Sequence, residues 1–456
     1  MSISYNALSG ALAAQAALNT VSQNIANAQT KGYTRQGVLL QANAGDGSGL
    51  SPGNGVQVGS LLRFSDSYKS QQMWRAASDL GQHTQVQPYL TQMEKVMSDS
   101  KSSLSYGIDT FFKALNAAGV DPTSTPLRQQ VITAANSMSQ QFNSIYNVTA
   151  NQLISVQQQR SAILPGLNES VAGIAALNQR IIAVGANGTN TSALIDQREQ
   201  LIDSVASQVG VEVVNNPDGT ASVSLKSGQP LVVGNLSASM AFDTSSGVEQ
   251  LNLTFANTTF KLDDTKVGGQ LGGLADYQEN TLKPLQKSIS EIAEQMSTKV
   301  NDQLKAGFTS PGVPGTDLLV FNPASATGLL QVVDGFQTAD LAFSGDGQPG
   351  DTGNLQQLVA IKGQPITLTS LGSVLLGDAD TQLVGKLGID SRQNQAQLNT
   401  ATTVRQQSED DWKSTSAVNT DEEAINLVEF QNMYQANMKV IAVANTLFDA
   451  TMKMFG

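Results

Sequence analysis

Few side chains in this sequence could do chemistry. Glu409, Asp410 and Asp411 form a tight run of acids, and two carboxylates at a suitable separation could act as acid and base on a glycosidic bond. Neighbouring residues on a helix point in different directions, so this run describes a solvated face. The single histidine, His83, has neither a second imidazole nor a thiolate with which to share a metal. Cysteine is absent, which removes thiol nucleophiles and disulfides together. The glycine-rich stretch from Gly45 to Gly59 lacks the Gly-Lys-Ser/Thr ending by which a loop cradles phosphates. No spacing converges on a catalytic centre, and no cofactor or metal is expected.

The chain has 456 residues, room for roughly three domains of ~150 residues each. With 26 Lys+Arg against 38 Asp+Glu the formal net charge is −12. That balance argues against nucleic acid and anionic membrane surfaces as partners, because both are held by clustered cations. Charged residues make up 14%, well below the ~25% of an average globular protein, and Ser, Thr, Asn and Gln fill the difference. No apolar run approaches the ~20 residues that span a bilayer, and no basic segment precedes the first apolar stretch. Neither membrane insertion nor a cleaved signal peptide is expected.

What the residue pattern does support is helix pairing. Ala7, Ala11, Ala14, Leu18, Val21 and Ile25 recur at alternating steps of four and three, a heptad seam small enough for a partner helix to approach closely. The seam predicts a helix ending around Thr30 to Gly32, with glycine supplying the left-handed stop. Near the other end, Leu427, Tyr434, Met438, Ile441, Phe448 and Met452 share a second seam, with Phe455 continuing it. Phe430, Met433, Val440, Ala444, Leu447 and Met454 lie beside it, so the apolar face is wide enough to want at least two neighbours. Asn419 is the N-cap candidate, followed by acids at Asp421 to Glu423 on the positive end of the helix dipole.

Between the ends, Phe64 to Ile182 reads as helix with breaks near Gly119 to Pro126 and Pro165 to Gly166, and Ser192 to Gln208 reads as helix. Gly45 to Ser60 reads as irregular loop. From Val209 apolar residues alternate with polar ones, NPDG at Asn216 to Gly219 makes a turn, and the period of two continues to Leu262. Helix returns at Gly272 to Leu304 and again from Asp378 to Trp412, while 312–354 gives no assignable pattern. The expected architecture is mainly α with a β insertion. A terminal coiled-coil domain takes 1–45 and 415–456, a discontinuous helical middle domain 60–208 and 268–414, and an outer antiparallel β domain 209–267. As an insertion, the β domain should make mainly internal contacts.

The string SQNIANAQTKGYTRQ, Ser22 to Gln36, together with VNTDEEAINLVEFQNMYQANMKVIAVANTLFDATMKM from Val418, resembles the paired terminal signature of bacterial flagellar axial proteins. Interior strings narrow the resemblance: ALIDQREQLIDSVASQVGVEV from Ala193, LRFSDSYKSQQMWRAAS from Leu62 and GGLADYQENTLKPLQKSI from Gly272 are similar to the hook-associated protein 1 family of hook-filament junction proteins. The β insert and 312–354 carry no such likeness. The resemblance implies a non-enzymatic, extracellular subunit of the flagellum, exported unfolded through the type III apparatus without a cleaved signal. It would form a ring of its own copies between hook and filament, with its terminal helices in the tubular inner wall. Implied partners are its own copies, the hook protein, the second hook-filament junction protein and a flagellar export chaperone.

Within the first string, Asn27, Thr30, Gly32, Tyr33, Arg35 and Gln36 form a turn, and Tyr33 and Arg35 are candidates to touch a neighbouring subunit. Lys31 stands where many axial proteins place proline, leaving chain reversal to Gly32. Two alternatives stay open: another axial subunit such as hook protein or flagellin, and a secreted coiled-coil adhesin or translocator. The latter shares the heptads but not the DQREQL and GYTRQ strings.

Overall fold

The computed structural model describes residues 2–43, 53–245, 247, 249–309, 312–325 and 328–455. Helix α1 (Ser2–Ala26) carries no charged residue and ends earlier than its seam suggests, in turns that lead to Gly32 at φ +75. That left-handed conformation is open to glycine at little cost. Strands β1 (Gln36–Ala42) and β2 (Val56–Arg63) then pair antiparallel as a ribbon. Val56 to Ser60 therefore belongs to a strand, correcting the loop expected there, while 44–52 lies outside the described residues. The ribbon leaves Leu39, Leu40, Val58, Leu61 and Leu62 partly exposed on both faces, so no clean alternation marks it in the sequence.

The helical body follows, with α2 (Ser67–Thr84), α3 (Gln87–Met97), α4 (Leu104–Ala118), α5 (Thr125–Gly185) and α6 (Ser192–Gln208). Asp66 caps α2 by accepting from the amides of Tyr68 and Lys69, and Ser103 caps α4 by accepting from that of Tyr106. The break expected at Pro165 to Gly166 does not occur, because α5 runs through it for 61 residues. A proline inside a helix costs about 3 kcal/mol, and burial of Leu164, Leu167, Val171 and Ile174 just around it offsets that.

The β insertion makes two antiparallel sheets. The first holds β3 (Val211–Asn215), β4 (Ala221–Leu225), β5 (Pro230–Val233) and β6 (Leu236–Ser237), the second β7 (Ser239–Asp243), β8 (Gln250–Phe255) and β9 (Thr258–Lys261). Its two ends meet where the Gly210 amide donates to Val267 O at 2.7 Å. Its contacts are mostly internal, as expected of an insertion, but its apolar face is not closed within it. Val211, Val213, Val223, Met240 and Leu253 share one buried cluster with Trp74 of α2, Leu167 and Ile174 of α5 and Ile202 of α6. Strand patterning shows that one face is apolar, and does not show that helices cover it.

Helix α7 (Gly269–Asp276) passes through a π turn (Tyr277–Leu282) into α8 (Lys283–Ala306). The unassigned stretch holds a short hairpin, β10 (Leu319–Phe321) with β11 (Leu330–Val332), and runs into α9 (Gly353–Ala360). It is seated by buried Leu318, Leu329, Leu341 and Phe343. A second hairpin, β12 (Pro365–Leu368) with β13 (Gly372–Leu375), leads to α10 (Ala379–Ser416) and α11 (Thr420–Phe455). Helix α11 packs along α1. Among the described residues no helix is long and apolar enough to cross a membrane.

Candidate functional site at the paired terminal helices

Alanine sets the spacing of the terminal pair. Ala7, Ala11, Ala14 and Val21 are buried and Leu18 is half-buried, whereas Ile25 is 40% exposed and the neighbouring Asn24 is buried in its stead. At Gly10 the approach is tight, since a Cβ built there would lie 2.6 Å from Asn437 Oδ1. On its other side α1 carries the ribbon, through Asn6 Nδ2 donating to Gly53 O and the Val56 amide donating to Ser9 Oγ. Among the described residues α1 is thus packed on two sides, while α11 packs chiefly along α1.

The covered edge of α11 is offset from the seam expected to face inward. Tyr434 and Ile441 are half-buried together with Phe430, Met433, Asn437 and Ala444. Leu427, Met438, Phe448 and Met452 are exposed, as are Val428, Val440, Val443, Leu447 and Met454; the side chain of Phe455 lies outside those described. Two apolar seams side by side look alike in sequence, and the small residues of α1 select the one carrying Asn437. Phe448 is 63% exposed, so a wide apolar face runs uncovered along a 36-residue helix.

The turn after α1 is clamped to the helical body. Asn24 Nδ2 donates to Gln36 O at 2.8 Å, and Asn24 Oδ1 accepts from the Gln36 amide at 3.1 Å and from Tyr33 Oη at 2.9 Å. Asn27 Nδ2 donates to Gln23 O at 2.9 Å and its Oδ1 accepts from Thr30 Oγ1 at 3.2 Å, which closes the helix end. Asn190 Nδ2 donates to Gln36 Oε1 at 2.7 Å, and Gln200 Nε2 to Lys31 O at 2.6 Å. The amide of Thr34 donates to Asp196 Oδ2 at 3.1 Å.

Arg63 ties the cluster together. Its Nη2 donates to Asp196 Oδ1 at 2.8 Å, to Glu199 Oε2 at 2.7 Å and to Thr34 Oγ1 at 2.9 Å. Burial works against its charge, but Glu199 and Asp196 outweigh that and hold its pKa above the ordinary value. The turn string and the DQREQ string, far apart in sequence, thus form one polar junction. Arg63, Asp196, Glu199, Gln200 and Asn24 were not singled out as site residues from sequence. Their only signal was membership in strings that resemble the family.

Tyr33 and Arg35, candidates for contact with a neighbouring subunit, both make polar contacts within the chain. Arg35 pairs with Glu422, lies 4.5 Å over the Phe64 ring, and donates its amide to Ser416 O at 2.8 Å. Asn419 caps α11 as expected, accepting from the Asp421 amide at 3.0 Å. Burial, then the carboxylates of Asp196 and Glu423, pushes the Tyr33 hydroxyl up to about 12. Glu423 is 2% exposed, and burial lifts its carboxyl above the usual range while Asn24 and Arg35 pull it down. Chemically the junction orients helices, and among the described residues no three acidic or imidazole groups could hold a metal ion.

Comparison with known proteins matches these same segments. The family model of the flagellar hook-associated protein FlgK helical domain matches residues 90–319. That of the flagella basal body rod protein matches 5–34, and that of the flagellar basal body rod FlgEFG protein C-terminal region matches 414–454. The chain is 27% identical to flagellar hook-associated protein 1 of Escherichia coli over 98% of each chain. To that of Bacillus subtilis it is 27% identical over 97% of this chain and 96% of the other. A solved structure, the flagellar hook junction protein FlgK from Burkholderia pseudomallei, matches with a TM-score of 0.51 at 25% identity, over 55% of this chain and 47% of that one.

Proposed function

Because the chain belongs to the flagellar hook-associated protein FlgK family, we propose that it is a structural subunit of the bacterial flagellum that forms the junction ring between hook and filament. It performs no catalysis and self-assembles through its paired terminal helices. The observation that carries this reading is the uncovered apolar face of α11, from Leu427 to Met454, beside an uncharged α1. Exposed apolar patches of that extent mark interaction surfaces. Neighbouring copies would cover Leu427, Met438, Phe448 and Met452 while Ala7, Ala11, Ala14 and Val21 hold the pair within each copy. Hook protein lies on one side of the ring and the second junction protein on the other. The subunit reaches this extracellular position unfolded, without a cleaved signal, escorted by an export chaperone.

The test is complementation of a strain lacking the gene, read by electron micrographs of its flagella. The null strain should carry hooks without filaments and lose flagellin to the medium. Wild-type gene should restore filaments, and Met438→Ser with Phe448→Ser should be exported yet fail to restore them. Normal filaments on the null strain would refute the junction role, and normal filaments with the double variant would refute the interface.

A further inference from the structure

The helical body is filled by two apolar clusters that stay separate. Along α5 the first cluster reaches Ile163 and the second starts at Leu164. From α2 to α3 the change falls between Ala77 and Val86, and along α7 between Leu271 and Leu274. The boundary therefore crosses several helices at one level.

Polar side chains occupy that level. Arg160, 1% exposed, donates through Nη1 to Gln278 Oε1 and Glu249 Oε2, both at 3.0 Å, and through Nη2 to Asp264. Inside the first cluster, away from that level, Tyr277 Oη donates to Gln152 Oε1 at 2.9 Å, and Gln152 Nε2 donates to Tyr89 O at 3.0 Å. Asn394 brings in α10, its Nδ2 donating to Gln87 Oε1 at 2.8 Å and to His83 O at 3.2 Å. With both amide hydrogens used, Asn394 Oδ1 accepts from His83 Nδ1 at 2.8 Å.

Three of the helical paths that cross the level are irregular there, while α10 runs through it unbroken. Helix α2 gives way to α3 at Gln85 and Val86, with Pro88 in the first turn of α3. Helix α5 carries Pro165, which has no N–H to offer Ser161 O. Helix α7 reaches α8 through the π turn, and α10 passes His83 between clefts of about 280 and 390 Å³. Helices bend at prolines and π turns, where backbone bonds are missing or rerouted. Interdigitated apolar side chains resist shear, and a layer of hydrogen bonds beside open space has fewer such contacts to lose.

We propose that this polar layer is a flexural plane, about which the two cores move as rigid bodies so that the subunit bends along its length. The proposal concerns the free subunit and does not depend on what the ring contacts. The chain has no cysteine, so spin labels can be placed at introduced ones alone. Gln129→Cys with Gln157→Cys and Asn151→Cys with Gln179→Cys are exposed pairs of equal separation on α5, ~42 Å along a straight helix. Only the second straddles Pro165. Double electron–electron resonance should give a distance distribution for Asn151–Gln179 about twice as wide as for Gln129–Gln157. Adding Pro165→Ala, which restores the bond to Ser161, should narrow it toward the control. Equal widths for the two pairs would overturn the proposal, and so would a wide distribution that Pro165→Ala leaves unchanged.

Discussion

The backbone amide of Thr34 donates to the carboxylate of Asp196, 3.1 Å away and 162 residues later in the chain. This bond joins the turn that follows the first terminal helix to the helical body, and Arg63 closes it from the other side with 2.8 and 2.7 Å bonds to Asp196 and Glu199. Orientation of the terminal pair is therefore fixed by a buried junction and not by the α1–α11 contact alone.

Asp196→Ala should loosen that junction. It strips the Thr34 amide of its acceptor and leaves Arg63, 11% exposed at its side chain, with one carboxylate instead of two. Removing one partner of a buried pair costs about 3 kcal/mol, and chemical denaturation of the monomer should show a loss of that order. A loss below about 0.5 kcal/mol, the size of an ordinary surface substitution, would mean that the junction is not a stabilising clamp.

Gly10 and Asn437 should behave as a coupled pair. Gly to Ala inside a helix gains about 1 kcal/mol from propensity, but here the added methyl would sit 2.6 Å from Asn437 Oδ1. Gly10→Ala should be neutral or destabilising in the native background and stabilising by about 1 kcal/mol in the Asn437→Ala background. Additivity within about 0.3 kcal/mol in a double-mutant cycle would show that the helices do not meet at this point.

The junction should weaken in alkali. Tyr33 is raised to about 12 in the folded chain, against about 10 for an unperturbed tyrosine. Its contribution is whole below the lower value, because both states then hold the proton. It is lost as pH climbs through the window, because the unfolded chain releases the proton first. The ultraviolet difference titration between native protein and Tyr33→Phe should show one hydroxyl ionising near about 12; a midpoint near 10 would place Tyr33 in open solvent.

Excising the β insertion should unsettle the body, although its ends adjoin at Gly210 and Val267. The strands cover Trp74, Leu167, Ile174 and Ile202, and each large apolar side chain left bare costs about 1.5–3 kcal/mol. A chain lacking 211–262 with a Gly/Ser bridge should bind a hydrophobic dye and melt at lower temperature. An unchanged melting temperature would show that the insertion is an independent outer domain after all.

These cases show what was legible in the sequence. The heptad of Ala7, Ala11 and Ala14, the Gly32 stop, the Asn419 cap and the alternation from Val211 are local patterns, and local patterns are what periodicity reports. Which face of α11 meets α1 is decided by Gly10 and Asn437 across more than 400 residues of sequence, and no period encodes it. Pro165 failed as a stop because packing on both sides outweighs one missing bond. Arg63, Asp196 and Glu199 carry no local pattern that links them, and only the fold makes them neighbours.

Hydrogen exchange, compared between free monomer and assembled junction, tests the assembly role of the terminal pair most directly. The pair is held by an alanine seam that buries little area per residue, and the apolar face of α11 is bare in the free chain. Helices so thinly packed are marginal in water. Amides from Leu8 to Asn24 and from Leu427 to Phe448 should exchange far faster than those of α5 in the monomer and become protected on assembly. Protection equal to α5 in the monomer, unchanged by assembly, would contradict ordering of the terminal helices by neighbouring copies.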